Sequence, residues 1–452
     1  MFSAGTYRAA AAAAGALLFP PACAPLVPLL ARGGRRGPFY ACGGGARSWG
    51  GHAGAAETCD VAVVGGGIMG SATAFHLAQK GLSVMLLEQY DFLHSRGSSH
   101  GDSRITRKSY PQAYYTSMMK EAYSLWNEAE EMTGLKIFTP TGGIDFGEDG
   151  SPGITNVVAS SEINGEPYEV LSPAELQARF PMWALPEGYS AVYSPQSGVL
   201  DATRGVAVHQ FLARAHEVDL RDNVTVTGIR LGPGGADIET SEGRVSAGKV
   251  VVTAGPWAGR MLGESIRSGA SEAPLAAPPL RPIHTTVAYY KCNPDMLPQF
   301  KGRCPIFLFR NEHRGDAIYG MPVPGRKGVI KVGRHGGPDT DPDNRSTDPH
   351  EPDLRDFVVP FIERYMTGIN VGQRVEAHGC MYTMTPDEDF ILDHLPGSGG
   401  VCTVGAGFSG HGFKLGPLVG RILADLAVGD NPYPGQDIMK HFRFDRFAGR
   451  TP

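Results

Sequence analysis

The stretch from Asp60 to Glu88, DVAVVGGGIMGSATAFHLAQKGLSVMLLE, decides the fold of this chain. A short apolar run, residues 61–64, is followed by three glycines that mark a turn and then by a helical pattern of alanines and larger apolar residues. A second apolar run, residues 83–87, ends in an acidic residue. Strand, glycine turn, helix, strand and acidic residue form the dinucleotide fingerprint in its full context. We therefore predict a Rossmann-type α/β domain that binds FAD or NAD, although the glycines alone would also suit an ordinary turn.

Each residue of the fingerprint has a predicted role. Gly65 permits the tight turn, Gly67 leaves room for a pyrophosphate beside the backbone, and Gly70 lets the helix pack closely on the strands. The phosphates are expected at the positive end of the helix dipole, where backbone N–H groups are unpaired. Glu88 is predicted to accept hydrogen bonds from the adenosine ribose hydroxyls.

Length, charge and cysteine content narrow the class of protein. A chain of 452 residues is long enough for two domains. A net charge of −5 and a pI near 6.3 give no basic signature for nucleic acid, so a small-molecule partner is expected. The seven cysteines are scattered without a CxxC pair or a metal-ligand spacing, which favours reduced thiols and predicts no metal site.

Residues 1–56 differ in composition from the rest of the chain. They contain five arginines, no acidic residue and an alanine-rich tract, which predicts a transit peptide for a plastid or mitochondrion, or an unstructured leader. Four prolines interrupt the apolar tract, so no membrane-spanning segment is expected. A secretory signal and an extension without a targeting role remain alternatives. The last residues, GRTP, lack the tripeptide that directs proteins to peroxisomes. If the leader carries no targeting signal, a cytoplasmic location is the alternative.

Apolar periodicity predicts further elements along the chain. Helices are expected over Tyr114–Thr133 and from Pro173, where Ser172 and Glu175 form a helix-start signal. A buried strand, a Gly-Pro turn and a helix are expected over Gly248–Leu262. Alternating patterns predict β-strands in Leu280–Tyr290, Cys304–Val323 and Gly328–His335.

Three polar or glycine-rich stretches carry a family resemblance. They are YDFLHSRGSSHGDSRITRKSY at 90–110, HGCMYTMTPDEDFILD at 378–393 and GAGFSGHGFKL at 405–415. With TAGPW at 253–257, they resemble the monomeric sarcosine oxidase and L-pipecolate oxidase family, a branch of the D-amino-acid-oxidase superfamily. The resemblance covers roughly residues 58–446. It implies FAD as the cofactor.

The resemblance also implies a discontinuous domain organisation. It places the FAD-binding domain in residues 57–136, 197–280 and 387–452. A second, α+β substrate domain, built on a mostly antiparallel sheet, is expected in residues 137–196 and 281–386.

The flavin contacts follow from the same resemblance. His100 and Arg104 are expected to face the flavin, and Cys380 to bind it covalently through the ring methyl. Gly407 and Gly410 belong to a loop that opens a helix over 417–426, whose positive end would stabilise negative charge on the reduced ring. For Cys380 the alternative is an inert buried thiol.

A catalytic and a substrate-binding set are implied as well. The catalytic set is Arg104, Tyr319, Lys331 and His335, and the substrate-binding set is Arg107, Tyr382, His411 and Lys414. Lys331 is expected near flavin N5, and Arg107 and Lys414 are expected to bind the substrate carboxylate. Guanidinium suits that task because it matches carboxylate bidentately and stays charged. From the residues alone, a solvated basic loop and a lysine that points to solvent remain alternatives.

The resemblance predicts an oxidase of a secondary-amine amino acid of the sarcosine or L-pipecolate type. Hydride would pass to flavin N5 to give an imine, and O2 would be reduced to H2O2 by a monomeric enzyme. A dehydrogenase with another electron acceptor is the first alternative. A flavin-binding sensor without turnover is the second.

Overall fold

The computed structural model describes residues 56–268, 278–300, 304–311 and 316–447. The predicted leader, up to residue 55, and the C-terminal GRTP lie outside these ranges. The two large sheets and the helices beside them are all formed by residues within the described ranges.

The dinucleotide fingerprint folds as predicted. Its first strand is Glu57–Val64, its helix Ile68–Gln79 and its second strand Val84–Leu87. The two strands are parallel, with Val61 opposite Val84. The apolar residues of both strands are buried because helices or strands cover both faces of the sheet.

These strands belong to a nine-stranded first sheet. Its main path runs in the order Ile266–Ser268, Val226–Gly232, Gly235–Thr240, Gly243–Val252, Glu57–Val64, Val84–Leu87 and Asp219–Arg221. Cys402–Ala406 pairs in parallel with the end of Gly243–Val252 and antiparallel with Ile391–His394. The predicted strand, turn and helix of 248–262 are present, with helical turns at Gly255–Trp257, Ala258–Arg260 and Met261–Ser265.

An eight-stranded second sheet contains the strands predicted from alternation. Its order is Ile369–Met384, Arg281–Cys292, Val329–Arg334, Asp316–Pro322, Ile306–Asn311, Gly143–Glu148, Tyr189–Ser194 and Glu169–Leu171. One pair is parallel, between Ile306–Asn311 and Gly143–Glu148, and the others are antiparallel. The expected mostly antiparallel sheet is therefore observed. A third sheet joins Arg104–Thr106, Gly198–Leu200 and Phe138–Pro140.

The longer helices pack partly against the first sheet and partly against the second. They are Ile68–Gln79, Ala113–Thr133, Pro152–Asn164, Pro173–Arg179, Ala202–Ala215, Val359–Tyr365 and Gly416–Val428. Shorter helical turns lie at Pro294–Met296, Leu297–Phe300, Glu351–Asp353, Leu354–Val358, Phe413–Leu415, Ile438–Phe442 and Phe444–Phe447. No helix in the described ranges is long and apolar enough to cross a membrane.

Two predicted helices show why their sequences end or begin where they do. The predicted helix over 114–133 is Ala113–Thr133, and it ends at Gly134, whose φ of 70° favours glycine. The helix Pro173–Arg179 begins with the predicted capping box between Ser172 and Glu175.

The fingerprint helix and Gly416–Val428 approach closely, since a Cβ at Gly420 would lie 2.5 Å from that of Ala72.

Candidate active site

The fingerprint glycines occupy positions where a side chain would clash. Gly65 has φ 106°, and a Cβ there would lie 2.5 Å from the carbonyl oxygen of Thr253. A Cβ at Gly70 would lie 1.8 Å from the carbonyl oxygen of Gly65, so close helix packing requires glycine at this position. At Gly67 it would lie 3.0 Å from the Ser99 hydroxyl. The turn and packing roles of Gly65 and Gly70 therefore have a direct steric basis.

Glu88 is buried at the end of the second fingerprint strand. Its carboxylate accepts hydrogen bonds from the backbone N–H groups of Gly66, at 2.8 Å, and Tyr90, at 3.0 Å, and His94 Nε2 lies 3.4 Å away. Burial alone would raise the Glu88 pKa, but His94 and the two N–H groups outweigh burial and hold the pKa below its usual value. A carboxylate fixed beside the glycine turn suits the ribose of an adenine dinucleotide.

A cavity of about 670 Å³ extends from the fingerprint to the family motifs. All the predicted site residues line it except Gly70, which packs below the turn, and Gly407. Residues from the 90–110 stretch, the second sheet and the 405–415 loop, far apart in sequence, therefore meet at one cavity. The glycine turn, Glu88 and this continuous volume together fit a flavin dinucleotide.

Arg104 organises the loop that carries it. Its guanidinium donates hydrogen bonds to the carbonyl oxygens of Ser98, His100 and Ser103, at 2.6 to 2.9 Å. His100 Nδ1 lies 2.8 Å from the carbonyl oxygen of Gly97. Burial and the nearby Arg104 lower the pKa of His100 well below its usual value, so its imidazole is neutral. Arg104 thus fixes the backbone around His100.

The two predicted carboxylate ligands both contact Tyr110. Lys414 Nζ donates a hydrogen bond to Tyr110 Oη at 3.0 Å and another to the carbonyl oxygen of His411 at 2.8 Å. The Arg107 guanidinium carbon lies 4.4 Å from the centre of the Tyr110 ring. Burial and Arg107 lower the pKa of Lys414 well below its usual value. Sequence reasoning missed Tyr110, whose only signal is its place three residues after Arg107 in the same loop.

Asp145 is a second residue that the sequence did not reveal. One of its carboxylate oxygens lies 3.5 Å from Arg107 Nη1, and the other accepts a hydrogen bond from the Ser109 hydroxyl at 2.7 Å. Asp145 is 8% exposed and Arg107 is 4% exposed. The available signal was an aspartate flanked by Ile144 and Phe146 within a strand-like run. A buried acid therefore faces one of the predicted carboxylate-binding cations.

His411 joins this cluster through both ring nitrogens. Nδ1 lies 3.2 Å from Tyr110 Oη, and Nε2 lies 3.1 Å from the carbonyl oxygen of Glu388. Burial and Lys414 lower the pKa of His411 well below its usual value. A neutral His411 can donate one hydrogen bond and accept another, which fixes its ring between the two motifs.

Tyr319, Tyr382 and His335 form an aromatic group on the second sheet. Tyr382 Oη donates a hydrogen bond to Tyr319 Oη at 3.0 Å, and the rings of His335 and Tyr382 lie 5.4 Å apart. Burial raises the pKa of both tyrosines and keeps their hydroxyls neutral. His335 Nε2 is 3.8 Å from the carboxylate of Glu388, and this contact is the main cause that lowers the Glu388 pKa.

Lys331 points away from the apolar core that contains Ile330 and Val332, as the alternation predicts. The alternative of a solvent-exposed lysine is wrong, since Lys331 is only 5% exposed. Its Nζ donates a hydrogen bond to the carbonyl oxygen of Ser103 at 3.3 Å. Burial and Arg104 lower the Lys331 pKa to about 8, against the opposing effect of Asp102.

Cys380 is half-buried and free, and it lies opposite Thr285 on the neighbouring strand. Both residues line the cavity. Gly410 has φ 78°, and a Cβ there would lie 2.4 Å from the Tyr382 ring. The predicted helix over 417–426 is Gly416–Val428, and the turn Phe413–Leu415 leads into it.

The family model described as FAD dependent oxidoreductase (DAO) matches residues 60–426. The chain belongs to this family. It is 37% identical over 403 residues to a probable sarcosine oxidase of Arabidopsis thaliana, covering 86% of this chain and 92% of the relative. It is 34% identical to the mouse peroxisomal sarcosine oxidase, covering 86% and 96%, and 33% identical to a monomeric sarcosine oxidase of Bacillus, covering 82% and 92%.

Solved structures agree on the fold. NikD, an amino acid oxidase essential for nikkomycin biosynthesis, superposes with a TM-score of 0.70 at 25% identity, covering 86% of this chain and 97% of NikD. Glycine oxidase from Geobacillus kaustophilus gives a TM-score of 0.66 at 22% identity, covering 86% and 99%. These findings confirm the predicted fold class, the FAD cofactor and the resemblance to sarcosine oxidases. The protein is an FAD-dependent oxidoreductase.

Proposed function

We propose that this protein oxidises the secondary amine of a small amino acid to an imine and passes the electrons to O2. The observation that carries the proposal is the meeting of Arg107 and Lys414 at Tyr110, inside the cavity that begins at the fingerprint. Two buried basic groups around one tyrosine can bind a substrate carboxylate through charge-assisted hydrogen bonds. Its similarity to sarcosine oxidases supports the same substrate class.

The residues of the chain divide the work in this proposal. FAD supplies the two-electron redox chemistry when it is bound. Arg107 and Lys414 hold the carboxylate and thereby fix the position of the amine. His411 and Tyr382 line the cavity, and their neutral polar groups form part of the wall of the substrate site. Tyr319 supports Tyr382 through their hydroxyl contact, and His335 stands beside the same ring.

Lys331 is proposed to serve the oxygen reaction. Its buried ammonium is held by Ser103, and a pKa of about 8 leaves it charged at neutral pH. A fixed positive charge that is buried beside the cavity stabilises a developing superoxide. This argument favours an oxidase over a dehydrogenase.

A panel of amines tests the substrate class. The flavin-loaded protein is mixed anaerobically with sarcosine, L-pipecolate, L-proline and N-methylated aromatic amino acids, and loss of the flavin absorbance is followed. At least one of these acids should bleach the flavin, and air should restore the colour with formation of H2O2. Bleaching that O2 does not reverse would indicate a dehydrogenase, and failure of every amine to bleach would indicate a non-catalytic flavoprotein.

Further features belong to the same proposal. The flavin is joined covalently to Cys380, which lines the cavity. The FAD-binding and substrate domains have the boundaries predicted above, His100 and Arg104 face the flavin, and the loop with Gly407 and Gly410 lies beside it. The enzyme works as a monomer, as the name of the Bacillus relatives suggests. Its compartment is an organelle, for which the 1–56 composition favours a plastid or mitochondrion and the mouse relative a peroxisome.

A further inference from the structure

Asp145 is a charged residue at a strand position where the pattern of the strand predicts an apolar side chain. The strand Gly143–Glu148 lies inside the second sheet, paired on both sides. Ile144 and Phe146 point into the apolar core, so Asp145 points to the opposite face, where its register neighbours are Leu308 and Val192. A carboxylate that is 8% exposed beside such neighbours is costly unless a partner compensates its charge.

Arg107 is that partner, but the contact between the two is loose. Nη1 of Arg107 lies 3.5 Å from Asp145, longer than the usual 2.7–2.9 Å of a charge-assisted hydrogen bond. Nε and Nη1 are both buried and make no hydrogen bond within the described part of the chain. The Ser109 hydroxyl holds the far oxygen of Asp145 at 2.7 Å. Arg107 thus has a counter-charge and still has donors free for another anion.

The charges around this pair come from several elements. Lys414 acts on Arg107 from the 405–415 loop, and Tyr110 lies between the two. Arg310, on the neighbouring strand of the second sheet, also lines the cavity. Within this group Asp145 is the buried acid, so it sets the balance of charge that a substrate carboxylate meets.

We propose that Asp145 is a positioning residue that competes with the substrate carboxylate for Arg107 and thereby limits how tightly the enzyme binds carboxylates. The inference rests on the proposed carboxylate clamp of Arg107 and Lys414. Removal of a buried partner charge leaves the other charge uncompensated, so Arg107 without Asp145 would hold any carboxylate more strongly.

The proposal has a consequence for turnover. Oxidation at the amine leaves the carboxylate of the substrate in place, so the product is held by the same clamp. A clamp without a competitor would bind substrate and product alike and would slow product release. Asp145 therefore lowers the affinity for ligands and speeds their release. This is expected, because binding energy that is equal in the substrate complex and the transition state does not raise kcat.

The test measures carboxylate binding apart from catalysis. Acetate is titrated into the flavin-loaded enzyme by isothermal titration calorimetry. Asp145→Asn keeps the size of the side chain and removes its charge, and it should bind acetate about tenfold more tightly, equal to about 1.4 kcal/mol. Its KM for the amino acid should fall in the same direction. The matched control is Glu166→Gln, which neutralises a carboxylate paired with Lys108 outside the cavity and should leave acetate binding unchanged.

Two further variants separate this role from a structural one. Ser109→Ala removes the hydroxyl that holds Asp145 and leaves the carboxylate more dependent on Arg107, so acetate binding should weaken by about threefold. In an Arg107→Met background, Asp145→Asn should no longer tighten acetate binding, because the two residues act through one interaction. A merely structural Asp145 would lower stability without this pattern of opposite signs.

Each outcome decides a separate claim. If Arg107→Met and Lys414→Met leave acetate binding unchanged, the clamp itself is wrong. If they weaken binding but Asp145→Asn fails to tighten it in the folded, flavin-loaded protein, the role of Asp145 is overturned and the clamp stands. If Asp145→Asn does not fold, Ser109→Ala decides, and unchanged or tighter acetate binding in that variant refutes the proposal.

Discussion

Substitution of Lys331 by methionine tests whether a buried charge serves the reaction with oxygen. Methionine has a similar length and carries no charge, so the side chain still fills its place beside the second sheet. We expect the reaction of reduced enzyme with O2 to slow by about three orders of magnitude, while anaerobic reduction by substrate changes much less. For O2 bound about 4 Å from the ammonium, a unit charge contributes about 4 kcal/mol at an effective dielectric constant of 20. That energy corresponds to about a thousandfold in rate.

The same substitution should make the fold more stable. Burial lowers the Lys331 pKa from 10.5 to about 8, which corresponds to a cost of about 3 kcal/mol for the charged form in the folded state. Methionine avoids that cost but removes one of the two donors to the carbonyl oxygen of Ser103, which costs about 1 kcal/mol, while Arg104 still donates to this oxygen at 2.8 Å. The net expectation is a gain of about 2 kcal/mol in the free energy of unfolding at pH 7.

The pH dependence has a definite sign. Between pH 8 and 10.5 the unfolded chain binds a proton at Lys331 that the folded protein does not, so wild-type stability rises with pH across this window. The stabilisation by methionine is therefore fully present below pH 8 and fades above it. The oxygen reaction has the opposite requirement, because it needs the charged form, so the wild-type rate should fall as pH rises through about 8.

Stopped-flow mixing of reduced enzyme with O2 between pH 6 and 10, with urea unfolding of the flavin-loaded proteins, measures both effects. Lys249→Met is the matched control, since Lys249 donates to the carbonyl oxygen of Gly400 at 2.9 Å and does not line the cavity. Equal slowing of the two half-reactions in Lys331→Met would show a structural role. A wild-type oxygen rate that stays flat through pH 8 would refute the assigned charge state.

Three further predictions concern attachment, recognition and packing. Acid-precipitated wild-type protein should stay yellow while Cys380→Ala releases free FAD, and a colourless wild-type precipitate would contradict the covalent bond. Arg107→Met and Lys414→Met should each lower kcat/KM by roughly ten- to a hundredfold with flavin still bound, and equal oxidation of a substrate analogue without its carboxylate would argue against the clamp. Gly410→Ala should reduce substrate turnover and soluble yield, because the new Cβ lies 2.4 Å from the Tyr382 ring at φ 78°, and wild-type kinetics would mean that the ring moves at little cost.

The fold could be predicted from sequence because its signals are local. The strand, turn and helix around Gly65 and Gly70 depend on backbone conformations and close approaches that glycine alone supplies, and the structure places both in such positions. Alternation predicted the strands of the second sheet that lie within residues 280–335, and it placed Lys331 on the face opposite Ile330 and Val332. The parallel pairing of Ile306–Asn311 with Gly143–Glu148 was not predicted, since nothing local encodes it.

The site could be predicted only in part. The motifs supplied its members, and the cavity brings nearly all of them together. Tyr110 and Asp145 were not predicted because their importance arises from neighbours distant in the chain. These neighbours are Lys414 for the tyrosine and Arg107 for the acid. A polar residue in a strand-like run can be recognised as a buried charge only after its partner has been located.

The basic residues of the site have similar signals in sequence but different physical states in the fold. Arg104 donates hydrogen bonds to three backbone carbonyl oxygens, so it stabilises the conformation of its loop. Arg107 faces a buried acid and keeps unused donors, so it can exchange one anion for another. Lys331 and Lys414 have no such acid within ion-pair distance among the described residues, and burial lowers the pKa of each instead. An arginine cannot respond in this way because its pKa is too high to lose the proton. Arginine and lysine therefore serve different roles in this one cavity. Arginine stands where a neighbouring acid supplies the counter-charge, and lysine stands where the charge must depend on the ligand or on pH.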